Sequence, residues 1–291
     1  MAPAHKPIVC FVTPTSENAK SVKAFKALLD DLQEDKITWR VFGANGTNAN
    51  LAQNVADAWT FVKGTLGDPP FDVPVVFVAG GSLAASALAS NANTGTYPII
   101  QAAGGSIPSG APANMKGFYL NVPGEKTICQ KQYDQLTSVP NNTPVAVLYD
   151  STNDNATQDI LHSLTNYAGT HNLNIVDIGG DANKLKVNTL TDLLQTPNTG
   201  NDASKSFMLI PNALFYEKCD DIAKAVDNVP LQNAIYPERE YKNAHPNKNG
   251  KQVLGHKIGL TFGQAAYYVD SVLNDKTCIA TLTWQEAITD P

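Results

Sequence analysis

Several features that mark common protein classes are missing from this chain. Its four cysteines stand far apart, with no CxxC pair and no spacing typical of a zinc site. Its 21 lysines and arginines form no basic cluster, which argues against nucleic acid as the main partner. No apolar run approaches the length that crosses a bilayer. These absences leave nucleic-acid binding and membrane spanning without support.

Signatures of catalysis and of cofactor binding are also missing. There is no Gly-x-Gly-x-x-Gly motif and no P-loop, and Gly80-Gly81-Ser82 lacks the flanks of a nucleophile elbow. Five histidines show no metal spacing: His5, His162, His171, His245 and His256. We therefore expect no catalytic residue, metal or cofactor, and we expect that the protein is not an enzyme.

The cysteines leave one question open. Cys10 lies inside an apolar strand and is expected to be a small core residue. A nucleophilic Cys10 would need a second cysteine or a histidine at the matching place in the other half, and none is there. Whether Cys129, Cys219 and Cys278 pair with one another is not decided by their spacing.

Bulk composition indicates a globular chain. Apolar residues make up 43% and charged residues 16%, and 291 residues suffice for one large or two medium domains. Met1–Pro7 runs directly into an apolar strand, without a basic region followed by an apolar one. We expect a periplasmic or lipid-anchored extracytoplasmic protein if a leader was trimmed, and a cytoplasmic one if Met1 is the native start.

Predicted strands alternate with predicted helices, which is typical of parallel sheets. In each half the second strand begins about 30 residues after the first, and the later intervals also agree. We predict two doubly wound Rossmann-like lobes, with Gly117–Leu120 as the crossover and Asn243–Lys251 as a polar linker. Residues 1–116 form one lobe, completed by the C-terminal helix (about 258–291), and 117–257 form the other. The predicted strands are Ile8–Val12, Ile37–Phe42, Val75–Ala79, Tyr97–Gln101, Pro144–Tyr149, Asn174–Ile178, Phe207–Ile210 and Leu231–Tyr236.

This topology predicts where a ligand binds. In open parallel sheets, ligands lie outside the carboxyl ends of the strands. If the lobes face each other, these ends line an interdomain cleft, a preferred place for small ligands, and hinge closure is a known mode of such proteins. Two independent Rossmann-like domains would show the same repetition.

The turn Gly80–Ser82 organises the first lobe. It joins a buried strand to an Ala-rich helix and leaves the N–H groups of Gly81, Ser82 and Leu83 without helical partners. Such a helix start favours a carboxylate or a phosphate. The alternative is an ordinary tight turn that binds nothing.

Side chains at the strand ends supply the chemistry that an amino acid needs. Hydroxyls near the turn suit a carboxylate, an acid suits an ammonium, and aromatic rings suit an apolar side chain. The alternatives are solvent-exposed acids, core packing and helix capping. The candidate ligand-binding residues are Thr13, Thr15, Ser16, Gly81, Ser82, Gln101, Tyr149, Asp150, Asn155, Asn212, Phe215 and Glu238, with Tyr236 as a further aromatic candidate.

Four short motifs resemble those of one known family. They are Asn114-x-x-Gly117, Leu148-Tyr149-Asp150 with Asn155, Gly81-Ser82-Leu83-Ala84-Ala85, and Gly263-x-Ala265-Ala266 after Gly259. Together they are similar to the ABC-transporter substrate-binding proteins of the tryptophan/tyrosine-type group. Asp150 stands where that family has Asn.

The resemblance implies a type I periplasmic-binding fold with a ligand between two lobes. It implies a solute-binding protein that takes up an aromatic or branched amino acid, or a similar small acid, and presents it to an ABC permease. Two other hypotheses stay open: a cytoplasmic ligand-binding sensor without a transporter, and a two-lobed racemase-like enzyme.

Overall fold

Strands and helices alternate along the chain and form two separate α/β units. The computed structural model describes residues 5–15, 19–43, 50–104, 107–119, 125–138, 143–152, 155–238, 241, 251–256 and 258–286. One unit is made by the described residues within Met1–Leu120 and Ile258–Ala287, and the other by those within Asn121–Lys257. Each unit has its own parallel sheet and its own core.

Eleven strands are present in the described residues. They are β1 Ile8–Thr13, β2 Thr38–Gly43, β3 Val75–Ala79, β4 Ile99–Gly104, β5 Met115–Tyr119, β6 Val145–Tyr149, β7 Leu173–Asp177, β8 Ser206–Leu209, β9 Asn233–Glu238, β10 Lys251–His256 and β11 Gln285–Glu286.

Nine α-helices accompany these strands in the same described ranges. They are α1 Lys20–Gln33, α2 Leu51–Leu66, α3 Ser82–Ser90, α4 Ile128–Thr137, α5 Asn155–Ala168, α6 Val187–Gln195, α7 Ala213–Glu217, α8 Cys219–Asp227 and α9 Ile258–Asn274. None of the described helices is long and apolar enough to cross a membrane.

The first unit is built on a six-stranded sheet in the order β11-β5-β4-β3-β1-β2, with every pair parallel. All six residues of β1 are buried, because helices cover both faces of the sheet. Phe11 packs on Phe25 of α1 and Phe262 of α9, with ring centroids 4.9 and 6.1 Å apart. Cys10 points to the opposite face, in the core that α2 and α3 share.

The second unit repeats this plan with five parallel strands in the order β10-β9-β8-β6-β7. Alternate residues of β6 enter two cores. Ala146 and Leu148 pack with α6 and α8, whereas Val145, Val147 and Tyr149 pack with α4 and α5. The sequence-based prediction of two doubly wound parallel sheets is confirmed.

Three strands differ from the prediction. Met115–Tyr119, expected as a crossover from Gly117 onward, is β5 and pairs with β4, so the first sheet extends beyond the predicted boundary at 116. Leu231–Tyr236 is not the last strand of its half, because Lys251–His256 adds β10 beside β9. The short β11 pairs with β5 at the other sheet's edge. β10 and β11 are edge strands, which pair on one side only and can be polar, so their sequence signal is weak. β5 lies between β4 and β11, and its segment Met115–Tyr119 is not a continuous apolar run.

Candidate functional site

In each sheet, the chain places its second strand on one side of the first strand and its later strands on the other side. The position where the order reverses is the topological switch point. In the first unit this switch point lies between β1 and β3, and in the second between β6 and β8. Ligands of doubly wound proteins bind at such points, outside the carboxyl ends of the strands. The candidate site is therefore described at the carboxyl edge of each sheet separately.

At the first switch point, the loops after β1 and β3 touch. The Gly80 N–H donates to the carbonyl oxygen of Val12 at 2.8 Å. A Cβ atom at Gly80 would lie 2.8 Å from Thr13 Oγ1 and 2.9 Å from Thr13 Cβ. Only glycine permits this approach, so Gly80 brings the start of α3 against the end of β1.

Two threonine hydroxyls lie at this contact. The oxygens of Thr13 and Thr15 are 2.8 Å apart, and the Thr15 N–H donates to Thr13 Oγ1 at 3.1 Å. Both residues are buried, with exposed fractions of 1% and 3%. One hydroxyl proton bridges the pair, and the other hydroxyl proton is not used by that bond. The structure therefore brings Thr13 and Thr15 together, and their contact with a ligand stays a prediction.

The helix α3 begins beside them. Gly81 is its N-cap residue and provides no side-chain cap, while Ser82, 8% exposed, is its first residue. The first N–H groups of a helix have no intrahelical partners. No lysine or arginine is among the described residues at the ends of β1 and β3. This edge therefore offers neutral donors, namely hydroxyls and backbone amides.

Gln101 lies deeper than the sequence suggested. It is fully buried in β4, and its Nε2 donates to the carbonyl oxygen of Phe118 in β5 at 2.9 Å. The ladder between these strands shifts register between Gln101 and Gly104. Bulges of this kind redirect side chains near sites. Here the side-chain amide reaches the neighbouring strand, so Gln101 has a structural role between β4 and β5.

At the second switch point, Asp150 joins three loops. Its Oδ1 accepts hydrogen bonds from the N–H and Oγ1 of Thr152, at 3.0 and 2.8 Å, and from the Gly180 N–H at 2.9 Å. Its Oδ2 accepts from Asn212 Nδ2 at 3.2 Å. Only 4% of Asp150 is exposed. The alternative of an ordinary exposed acid is therefore wrong, because the carboxylate is enclosed by protein donors.

Asn212 has a second role at the end of β8. Its Oδ1 accepts from the Leu214 N–H at 2.7 Å, so it is the N-cap of α7. The same side chain thus binds Asp150 and begins a helix. The capping alternative considered from the sequence applies to this residue.

A second carboxylate, Asp177, holds the neighbouring loop. Its Oδ1 accepts from the N–H groups of Ser151 and Gly179, at 2.9 and 2.8 Å. Burial alone would raise the pKa of Asp177, but the hydrogen bonds from Ser151 and Gly179 and the charge of Lys184 lower it overall. The edge of the second unit is therefore acidic, in contrast to the described residues at the ends of β1 and β3.

The aromatic candidates are core residues to different degrees. Phe215 is fully buried, and Tyr236, 1% exposed, stacks on Tyr241 with centroids 4.4 Å apart. Because both side chains are enclosed by protein, neither can line a ligand site in this conformation. Tyr149 keeps 6% exposure, and burial, Asp177 and Asp150 together raise its pKa. Core packing, the alternative considered from the sequence, accounts for Phe215 and Tyr236.

Some candidates fall partly or wholly outside the described residues. Ser16 lies outside them. The backbone of Asn155 begins α5 and that of Glu238 ends β9, but their side chains are outside the description. The roles proposed for these three residues stay predictions.

Sequence reasoning missed Asp177, Gly180 and the linking role of Thr152. An acid at a strand end followed by Gly179-Gly180 was the available signal.

The expectation for Cys10 is confirmed: it is fully buried, and burial raises the pKa of its thiol far above the ordinary value, with Arg40 offsetting little. All four cysteines lie in the described residues and are reduced thiols. Within the same part of the chain, no group of three or more metal-binding side chains occurs.

Comparisons with known proteins give structural matches only. No family model matches the chain, and no curated protein sequence matches it. A conserved domain protein from Vibrio cholerae superposes with a TM-score of 0.70 at 18% identity, covering 98% of this chain and 90% of that one.

Two further solved structures show the same fold with ligands. The ABC domain in complex with L-Trp from Streptococcus pneumonia has a TM-score of 0.64 at 15% identity, covering 97% of this chain and 90% of that chain. A LacI family transcriptional regulator from Enterococcus faecium with bound ribose has a TM-score of 0.60 at 11% identity, covering 98% and 97%.

These matches show the fold of the chain. It is type I periplasmic-binding-protein-like, as the resemblance implied. The tryptophan/tyrosine-type group within that fold stays a prediction. At such low identity the matches identify architecture and leave the site to be argued from its residues.

Proposed function

We propose that this chain is a non-enzymatic solute-binding protein that captures one small molecule for ABC-type uptake. The ligand we favour is an amino acid with an aromatic or branched side chain. The observation that carries the proposal is the first switch point, where Thr13, Thr15 and the start of α3 place neutral donors at the carboxyl edge of the sheet. This is where doubly wound proteins bind ligands.

The acid group of the ligand is proposed to lie at this edge. The amides of Gly81 and Ser82 open a nine-residue helix, and the helix dipole favours negative charge there. The hydroxyls of Thr13 and Thr15 lie beside them and add donors. A carboxylate held by neutral donors needs no basic side chain.

Enclosure by hinge closure of the two lobes is the mechanism we propose, since this mode is known for periplasmic binding proteins. An ABC permease is the proposed partner for transport.

Two matched structures support a binding role and leave the ligand class open. One was solved with L-Trp and the other with ribose. The same architecture thus accommodates an amino acid and a sugar, and fold does not select between them. The absence of a basic side chain from the described first edge fits either a carboxylate or hydroxyl groups.

A stability screen tests the proposal. A ligand that binds only the folded state stabilises it by RT ln(1 + [L]/Kd), about 2.7 kcal/mol at a hundredfold excess over Kd. We expect an aromatic or branched amino acid to raise the melting temperature, and nucleosides to leave it unchanged. A panel of amino acids, sugars, nucleosides and small acids that produced no shift would refute the binding role.

A ligand-binding sensor without a transporter is the second candidate. The match to a LacI family regulator favours it, because that regulator was solved with bound ribose on the same fold. A racemase-like enzyme is not favoured: Cys10, its thiol candidate, is fully buried on a core face of β1. Sequencing the native N-terminus distinguishes sensor from transport protein, since export requires a leader.

A further inference from the structure

We infer that Asp150 is a positioning residue that holds the loops after β6, β7 and β8 in one arrangement, and is not an open counter-ion for the ligand. The inference rests on the proposed function in one respect only, namely that the carboxyl edge of the second sheet faces the ligand. It departs from the sequence-based hypothesis that Asp150 pairs with a ligand ammonium.

The hydrogen bonds of Asp150 carry the inference. Thr152 is two residues away on the same loop, Gly180 follows β7, and Asn212 follows β8. Because β6 lies between β7 and β8 in the sheet, one carboxylate at its end reaches both neighbours. Each loop therefore loses a partner if Asp150 is removed.

The remaining capacity of the carboxylate is small. Two carboxylate oxygens offer about four acceptor positions. Protein donors occupy three at Oδ1 and one at Oδ2. Oδ2 keeps one further acceptor position, but with 4% of the residue exposed little of the carboxylate is accessible to a ligand cation. Positioning is the role that this geometry supports.

The Asp150–Asn212 pair allows a sharp test because its two side chains can be exchanged. In Asp150→Asn, the new amide faces the amide of Asn212, so two donors meet. In Asn212→Asp, two carboxylates meet. In the double variant, the new amide at position 150 donates to the new carboxylate at position 212. That carboxylate still accepts from the Leu214 N–H, since aspartate is as good a helix cap as asparagine.

The first measurement is amide hydrogen exchange in the ligand-free protein. We expect each single variant to speed exchange at Gly180 and Leu214 about tenfold, and the double variant to return both to within about threefold of wild type. Melting temperatures close to wild type show that the variants fold. If Asp150→Asn leaves both amides unchanged, or the double variant rescues neither, the inference is wrong.

The second measurement separates positioning from charge pairing. L-Tryptophan and indole-3-propionate share an acid and an indole, but only the first has an ammonium. If Asp150 positions the loops, Asp150→Asn weakens binding of both by the same factor. A loss confined to L-tryptophan would identify a counter-ion and overturn the inference. Wild-type protein that binds neither compound counts against the proposed aromatic ligand, while hydrogen exchange still decides the role of Asp150.

Discussion

The side-chain amide of Asn212 donates a hydrogen bond to the carboxylate of Asp150 at 3.2 Å, joining the ends of β8 and β6. This bond links the two loops that form the second switch point. The equivalent position at the first switch point is occupied by the hydroxyl pair of Thr13 and Thr15, which Gly80 contacts closely. The two sheets thus share a topology but present different chemistry, acidic in the second unit and, among the described residues of the first switch point, neutral.

The turn that donates to Asp150 should tolerate no side chain. Gly180 has φ +75°, and a Cβ there would lie 2.8 Å from Thr152 Oγ1. We expect Gly180→Ala to lower the free energy of unfolding by about 2 kcal/mol, from left-handed strain and the clash together. Urea unfolding measures the loss.

Gly179→Ala is the matched control. Gly179 also has positive φ, at +57°, but nothing lies within 4 Å of its added Cβ. Only the conformational strain remains, so we expect a loss of about 1 kcal/mol. Equal losses at the two positions would show that contact with Thr152 is unimportant.

Asp177 should titrate at an unusually low pH. Its pKa is lowered overall by Ser151, Gly179 and Lys184, in spite of the opposing effect of burial. We expect an NMR titration midpoint below the value of about 3.9 for an unstructured aspartate. Ser151→Ala removes the side-chain hydrogen bond that helps to lower the pKa of Asp177 and keeps the backbone one, so it should move the midpoint upward. A wild-type midpoint at or above the ordinary value would contradict the hydrogen-bond geometry.

The same shift has a consequence for stability. A carboxyl whose pKa is lower in the folded state stabilises the protein fully above its unfolded pKa, and this contribution disappears as pH falls through the folded pKa. Asp177→Asn should therefore make stability decline less steeply below about pH 4. Thermal melts at a series of acidic pH values check this, and a decline in Asp177→Asn as steep as in the wild type would contradict it.

Thiol labelling should separate the four cysteines by burial. Cys10, Cys129 and Cys219 are buried, whereas Cys278 is partly exposed. We expect a disulfide reagent to modify Cys278 first and the others only on unfolding, since thiolate formation and access both control the rate. The raised pKa of Cys278, due to burial and Asp275, makes that reaction slow.

Two variants complete the labelling experiment. Cys278→Ser should abolish modification of the native protein, while Cys10→Ala should leave it unchanged. Labelling of Cys10 in the native state would contradict its burial and would reopen the racemase-like hypothesis.

The first ligand-binding edge is testable at Ser82. An acid at this position would meet the carboxylate that we propose to lie at the start of α3, so Ser82→Glu should abolish binding of any amino acid found in the screen. Ser86→Glu places the same charge one turn later at an exposed position and should bind normally. Calorimetric titration of both variants decides, and full affinity in Ser82→Glu would remove this turn from the site.

The sequence predicted the central strands well because they are continuous apolar runs. Ile8–Thr13 and Val75–Ala79 are buried at every position, which only a strand covered on both faces explains. Lys251–His256 was missed because an edge strand needs pairing on one side only and can be polar. Its pairing with β9, which no local pattern identifies, determines its conformation.

The candidate site was predictable in position but not in detail. Strand ends could be located from the chain, and Thr13, Ser82 and Asp150 do lie at them. The hydrogen-bond partners of Asp150 could not be identified from the chain, because Gly180 and Asn212 are 30 and 62 residues away and only the sheet order brings them close. Phe215 lies in α7, just after β8, and Tyr236 lies inside β9, and core packing encloses both.

Native mass spectrometry of the purified protein with an equimolar mixture of amino acids, sugars and nucleosides tests the central claim most directly. We predict a single one-to-one complex whose added mass matches an aromatic or branched amino acid, present with Ser86→Glu and absent with Ser82→Glu. A protein that acquires no ligand mass from the mixture, or takes up several unrelated compounds equally in both variants, would contradict the proposed solute-binding function.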